Sequence, residues 1–281
     1  MVRRFLALAA AFSLTGCSLF GHEADPALWV VKDEDTTIYL FGTVHVLKPR
    51  THWFDDGISE AFEVSDELVM EIARPDPAAI SALAAQLGTR GGPPFPAEVD
   101  AAAQQLGMPK GAIDKQEPWL AALTLSRLAV TKAGYGADAG VEATLHEAAE
   151  SADKPVHALE TARSQLMLFD GLSGAAQSAM LDATVKELPE TAARTQRFVE
   201  AWGSGDAETV GAEMNRAMAA SPEIGEALIA RRNARWADWV QRRMQQPGTV
   251  FMAVGAGHLA GKGSVQELLT EKGLKVERVA Y

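Results

Sequence analysis

Two histidines and a glutamate stand where buried strands run out. In "TTIYLFGTVHVL" (36–47) an apolar run reaches Gly42 and presents His45. In "TVFMAVGAGHL" (249–259) a second run reaches Gly255, turns through Ala256 and Gly257, and presents His258. "ELVMEI" (67–72) ends near Glu71, and "KPVHALE" (154–160) ends in Glu160. Neutral imidazole and carboxylate are ligands for a divalent ion such as Mn, Co or Zn, and three protein ligands leave a position for water. The ion would lower the pKa of that water and make it a nucleophile near neutral pH. Without an ion, a His paired with a Glu serves as a general base. Taken singly, a His or Glu at a strand end is a turn or surface group. Two Gly–x–x–His turns after buried strands favour a shared role for His45, Glu71 and His258. For Glu160 the structural reading leads, a carboxylate beside the start of the helix that follows Thr161. His22, His52, His146 and His157 lack this context, and His157, in mid-strand, reads as a packed core residue.

A further cation belongs with this set. In "ALIARRNARWADWVQRRM" (227–244), Arg231, Arg235, Asp238 and Arg242 recur at helical spacing as a solvated stripe. Arg232, Trp236, Trp239 and Arg243 form a different stripe. Arg232 therefore points to the core side, where an unpaired cation is expensive. Spacing leaves two readings open: an acidic partner or contact with the site, or a stem packed on Trp236 with its head in water.

The elements that must position these groups follow from the apolar pattern. "LWVVKDEDTTIYLFG" reads as a hairpin around Lys32–Asp35, 58–66 as a helix, and 67–72 as a short strand. Residues 77–150 are mostly helical, interrupted by "GTRGGPPFP" (88–96). A strand at 154–160 precedes helices over 161–246; then come the strand before His258, a helix at 263–273 and a last strand at 274–280. Val250–Val254 is apolar without alternation, as in a strand covered on both faces. The expected fold class is α/β: a mostly parallel central sheet with an N-terminal hairpin and a large inserted helical layer at about 77–246. Such a sheet binds ligands outside the carboxyl ends of its strands, where His45, Glu71, Glu160 and His258 would converge.

Composition narrows the function classes. The chain has 281 residues, 47% of them hydrophobic, enough for a sizeable core. With 37 Asp+Glu against 26 Lys+Arg and no basic run, nucleic acid is not an expected partner. "MVRR", the apolar "FLALAAAFSL" and "LTGC" resemble, in that order, a bacterial lipoprotein signal ending at Cys17, the chain's single cysteine. The expectation is a signal peptide over 1–16, lipidation of Cys17, a tether over 17–27 and a domain over 28–281. Ser18, rather than Asp, resembles the sorting signal for the outer membrane. The protein is then expected at the cell envelope, lipid-anchored on the periplasmic face, with the membrane as a partner. Disulfides play no part.

"YLFGTVHVL", "ISEAFEVSDELVMEI", "RRNARW" and "VFMAVGAGHLAGKGSVQELLTEKGLKVERV", in this order, resemble the TraB/GumN family. The match covers essentially all of 28–281, more loosely in the middle through "WLAALTLS", "GYGADAGVEATLHEAAESADKPVHALET" and "FVEAWGSGDAE". The family is similar to the Tiki proteases and, more distantly, to the erythromycin-esterase and ChaN-like proteins. The resemblance implies a metal-dependent hydrolase acting on a peptide bond, with His45 and His258 as ligands and Glu71 as ligand or general base. The Arg–Asn pair falls on Arg232 and Asn233, which favours a functional Arg232 that stabilises charge on the attacked carbonyl. Asp138 and Glu160 sit in family-like motifs as secondary candidates, with Asp138 equally suited to a capping role. Val141 follows the Asp138 motif, and Glu142 beside it is assigned no consequence. Two alternatives stay open: a metal-independent esterase-like hydrolase using His45 as base, and a lipoprotein that binds a small ligand or metal without turnover.

Overall fold

A computed structural model of the chain describes residues 24–73, 76–218 and 221–281. Cys17 and the signal-like segment lie outside the described residues.

The fold is α/β, built on a six-stranded, mostly parallel sheet. Its strands are β1 (Leu28–Lys32), β2 (Thr36–Thr43), β3 (Glu67–Ile72), β4 (Val156–Glu160), β5 (Gly248–Gly255) and β6 (Val276–Arg278). They lie in the order β4-β3-β5-β2-β1-β6. β1 and β2 form the N-terminal antiparallel hairpin, whose turn is closed by Asp33 Oδ1 accepting from the Asp35 and Thr36 amides. β2, β5, β3 and β4 are mutually parallel, and β6 closes the far edge antiparallel to β1.

The pattern of β5 explains why it lies in the middle. Phe251 and Ala253 enter a core with Phe41, Trp53, Phe62 and Leu68. Val250, Met252 and Val254 enter the opposite core with Ile38, Val69, Trp236 and Val240. Both faces are covered, so the strand has no polar side and reads as a continuous apolar run.

The helices are α1 (Asp56–Glu63), α2 (Pro77–Leu87), α3 (Ala97–Gln105), α4 (Pro118–Lys132), α5 (Val141–Ser151), α6 (Ala162–Asp170), α7 (Gly174–Glu187), α8 (Thr191–Gly203), α9 (Ala207–Met218), α10 (Pro222–Gly225), α11 (Arg231–Arg243) and α12 (Val265–Glu271). Helices α2 to α11 lie between β3 and β5 in the chain, with β4 among them. They carry cores of their own, one around Val99, Ile113 and Leu125 and one around Leu172, Ile224 and Leu228. Trp202 of α8 donates its indole N–H to the Gly42 carbonyl at 2.7 Å, which ties the helical layer to the end of β2.

One sequence expectation is corrected here. His157 is not packed in the core: β4 is an edge strand, so this side chain is 59% exposed and reaches Glu67 on the neighbouring strand at 3.2 Å.

Candidate active site

The parallel register of β2 and β5 pairs Gly42 with Val254 and Thr43 with Gly255, so both Gly–x–x–His turns leave the sheet at the same edge, side by side. Gly255 donates its backbone N–H to Glu71 Oε1 at 2.7 Å. A Cβ at Gly255 would lie only 3.1 Å from that oxygen, so the missing side chain is what lets the carboxylate approach. The chain then winds through a 3₁₀ turn, Ala256–Leu259, that carries His258.

His258 is 4% exposed and held from three sides. Asn233 Nδ2 donates to the Gly263 carbonyl at 2.7 Å, which turns Asn233 Oδ1 to His258 Nδ1 at 2.6 Å. That assigns the proton to Nδ1 and leaves Nε2 as an acceptor, which takes a bond from Arg232 Nη1 at 2.9 Å. The ring also rests on Trp236, with centroids 4.4 Å apart. Burial, with the Arg232 charge adding to it, lowers the His258 pKa to about 3, so the imidazole is neutral.

Arg232 is the hub. Its Nε donates to both oxygens of Glu160 at 3.1 Å. Nη2 reaches Glu71 Oε2 at 2.5 Å and Glu160 Oε2 at 2.9 Å, and Nη1 reaches the Leu228 carbonyl at 3.1 Å besides His258. Leu228 lies in a π-helical turn, Glu226–Ala230, at the entrance to α11. A carbonyl oxygen has two lone pairs, so it can take this bond in addition to any backbone one. The guanidinium also lies 4.6 Å from the centre of Trp236. All five N–H groups are thus engaged, and none is left for a developing oxyanion. In this arrangement the carbonyl-stabilising role implied by the resemblance would require Arg232 to give up one of these bonds.

Glu160 does not cap the helix after it. Thr161 does so itself, with Ser164, in a reciprocal capping box. Glu160 instead holds Arg232 and receives Arg235 Nη2 at 3.1 Å, so Arg235 leaves the stripe assigned wholly to solvent. Gln165 Nε2 bridges Glu71 and Glu160 at 2.8 and 3.1 Å. Burial by itself would raise the Glu71 pKa. Arg232, then His258, His45 and the Gly255 amide outweigh it and bring the value to about 2.

His45 lies on the same edge with a different partner. Its Nδ1 is 2.6 Å from Glu142 Oε1, which also accepts from the Thr43 hydroxyl at 2.6 Å. The Glu142 carboxylate raises the His45 pKa well above the imidazole value; burial opposes it. The ring is 72% exposed, so solvent screens part of this attraction. With Nδ1 committed to Glu142, Nε2 is the nitrogen offered to a ligand.

Glu142 is the site residue that sequence reasoning missed. Backbone bonds explain its arrival: Gly136 exchanges N–H and C=O with Leu47, and Val141 donates to the Val44 carbonyl at 3.1 Å. The segment around Gly140 thereby docks on the His45 turn and starts α5 with Glu142 in its first turn. The signal that could have found it was the position of Glu142 at that helix start, four residues beyond Asp138. Asp138 itself is exposed in the short turn Ala137–Ala139.

These groups open on a cavity of about 490 Å³, floored by His45, Glu71 and His258 and walled by α4, α7, α8 and α9. The expected metal triad does not form in this arrangement. Among the described residues no three His, Cys, Asp or Glu side chains are disposed to hold an ion. Glu71 Oε1 and His258 Nε2 are 3.8 Å apart, but Arg232 already donates to both side chains, and His45 turns to Glu142. The donor set fits a guanidinium, and an ion would have to displace it.

The chain is similar to the uncharacterized protein YbaP of Escherichia coli (strain K12) and to that of Shigella flexneri, 28% identical to each over 163 residues, 58% of its length. The chain spans 60% of the length of these relatives. No solved structure is significantly similar. The family model described as TraB/PrgY/gumN matches residues 27–278, nearly the whole of the described body, including every residue of the site above. The chain belongs to the TraB/PrgY/gumN family.

Proposed function

We propose that the protein is a hydrolase of carboxylic esters or amides in which His45, oriented by Glu142, is the general base and no metal takes part. The observation that carries this reading is the 2.6 Å His45–Glu142 pair at the polar end of the cavity. In the reaction, above the raised His45 pKa of about 9, where the ring is neutral, Nε2 takes a proton from water and the water oxygen bonds to the substrate carbonyl carbon. The bond to the leaving alcohol or amine then breaks, and the proton passes from His45 to that leaving group. Glu142 holds the ring and balances its charge while the proton is there. Arg232 keeps Glu71 ionised and His258 neutral and fixed, so the floor beside His45 keeps a constant shape and charge.

The test is a screen of esters and peptides with wild-type protein and His45→Ala, each after exhaustive chelation and each with added Mn²⁺, Co²⁺ or Zn²⁺. Chelated wild type is expected to turn over, with His45→Ala slower by roughly 10²–10⁴-fold. Activity that appears only on adding an ion would replace this reading with metal-dependent hydrolysis. Ligand binding without turnover under all conditions would leave a binding protein. The segment up to Cys17 supports, as part of the same proposal, a lipid-anchored protein at the bacterial envelope, facing the periplasm from the outer membrane.

A further inference from the structure

We infer that the cavity holds a linear apolar acyl chain, so that the substrates are esters or amides of medium-chain fatty acids; this rests on the hydrolase reading above. The polar groups of the site lie at the floor of the cavity, and the charged side chains on its wall, Glu187, Arg194 and Glu213, are engaged with one another. Beyond His45, Glu71 and His258 its walls are formed by apolar side chains such as Val130, Met180, Phe198, Met214, Met218 and Leu228. An amphipathic substrate is therefore oriented with its carbonyl at the floor and its chain along the walls.

The charges on the wall are already matched. Arg194 pairs closely with Glu187 and lies 3.8 Å from Glu213, which also holds Arg216 at 2.8 Å and Arg197 at 3.5 Å. Each charged side chain that lines the wall is thus already engaged by an opposite charge, and the extra guanidiniums of Arg197 and Arg216 are about half exposed. Two wall hydroxyls are given to backbone carbonyls, Thr184 to that of Met180 within α7 and Thr191, at the start of α8, to that of Glu187 at the end of α7. Ser126 and Thr195 add further hydroxyls to the wall, and the Thr43 hydroxyl at the floor is given to Glu142. A peptide laid along these walls would leave most of its N–H and C=O groups without partners, which is costly away from water. A hydrocarbon chain asks for none.

Size and adaptability agree with this. A volume of about 490 Å³ falls in the range of small-molecule sites and exceeds what one amino-acid side chain fills. The three wall methionines, unbranched and polarisable, can follow the curve of a flexible chain.

Two measurements on the folded protein separate this inference from the hydrolase reading. The first is kcat/KM for p-nitrophenyl esters from acetate to dodecanoate. It is expected to rise about fourfold for each added methylene until the cavity is full. The second involves no chemistry: calorimetric binding of 1-butanol, 1-hexanol and 1-octanol, with affinity rising by the same factor per methylene. Ala183 of α7 lines the cavity, and Ala183→Phe should shorten the chain at which both series level off. Ala183→Val is the milder variant should the larger one melt early. Ester turnover with no chain-length gain and no alcohol binding would overturn the acyl-chain inference and leave the hydrolase reading standing. Graded alcohol binding with no turnover of any ester would support the cavity assignment and remove the hydrolase.

Discussion

Arg231 and Arg232 are neighbours of identical chemistry in opposite settings. Arg231 is 60% exposed and meets the exposed Glu226 at 3.5 Å, so Arg231→Ala should change unfolding free energy by no more than about 0.5 kcal/mol. Arg232 is 8% exposed between the buried carboxylates of Glu71 and Glu160. Removing it leaves Glu71 without its guanidinium and Glu160 with only the half-exposed Arg235 as cation, at a cost of about 3–5 kcal/mol, and Arg232→Lys should recover little because an ammonium cannot supply five donors in a plane. Urea unfolding of the three variants reads this; equal midpoints for Arg231→Ala and Arg232→Ala would mean that Arg232 is no hub. The same cluster fixes a pH dependence. His258 has a pKa lowered from 6.5 to about 3. Between those values the unfolded chain binds the extra proton, so stability falls as pH drops through that window. Glu71, lowered from 4.5 to about 2, adds a second loss as pH falls below 4.5. His45, whose pKa is raised, works in the other sense: its contribution is present below the ordinary imidazole value and is lost on the alkaline side. A His258→Gln variant should lose the part of the acid sensitivity that lies between pH 6.5 and 4.5. Unfolding midpoints measured across that range that fall as steeply as in the wild type would assign the sensitivity elsewhere.

At the scale of elements, the docking of the Gly136–Gly140 segment on the His45 turn decides whether the proposed base has its partner. Gly140 has an ordinary extended backbone, so alanine is allowed there by conformation. Its Cβ would nevertheless sit 2.3 Å from the His45 carbonyl oxygen, a backbone atom that cannot swing away. Gly140→Ala should therefore cost about 1–3 kcal/mol and shift the start of α5, carrying Glu142 off His45. Glu142→Gln tests the pairing without the steric push. With the carboxylate gone, the His45 pKa should fall, and the alkaline rise in rate expected of a His45 base should move to lower pH. A pH–rate profile in which Glu142→Gln rises at the same pH as wild type would detach Glu142 from the proposed mechanism.

At the scale of the whole molecule, the described chain enters already fastened. Ala24 donates to the His52 carbonyl at 2.9 Å, Asp25 to that of Gly203 at 2.7 Å, and the Tyr281 hydroxyl bonds to the Pro26 carbonyl. These bonds tie the start of the described chain to the His52 loop, to the end of α8 and to the C-terminal residue. Cys17→Ser is accordingly expected to move the protein from the membrane to the soluble fraction with an unchanged melting temperature. A variant that stays with the membrane would show that Cys17 is not the anchor.

The sequence by itself determined the elements and the edge at which they end. β2 and β5 were legible because strands covered on both faces need no polar side, and each breaks at a glycine before its histidine. The core-side setting of Arg232 was legible from helical spacing, which depends only on neighbours along the chain, whereas Asn233 was singled out by the family resemblance alone. The tertiary structure alone decided the partners. His45 meets a carboxylate 97 residues away, and Arg232 meets Glu160 72 residues away, distances over which no local periodicity carries information. The exposure of His157 likewise depended on β4 lying at the edge of the sheet, and the disruption of the expected triad depended on a guanidinium reaching Glu71 and His258 first. Propensity and burial pattern act within an element, whereas the pairing of charges is settled by which elements pack face to face.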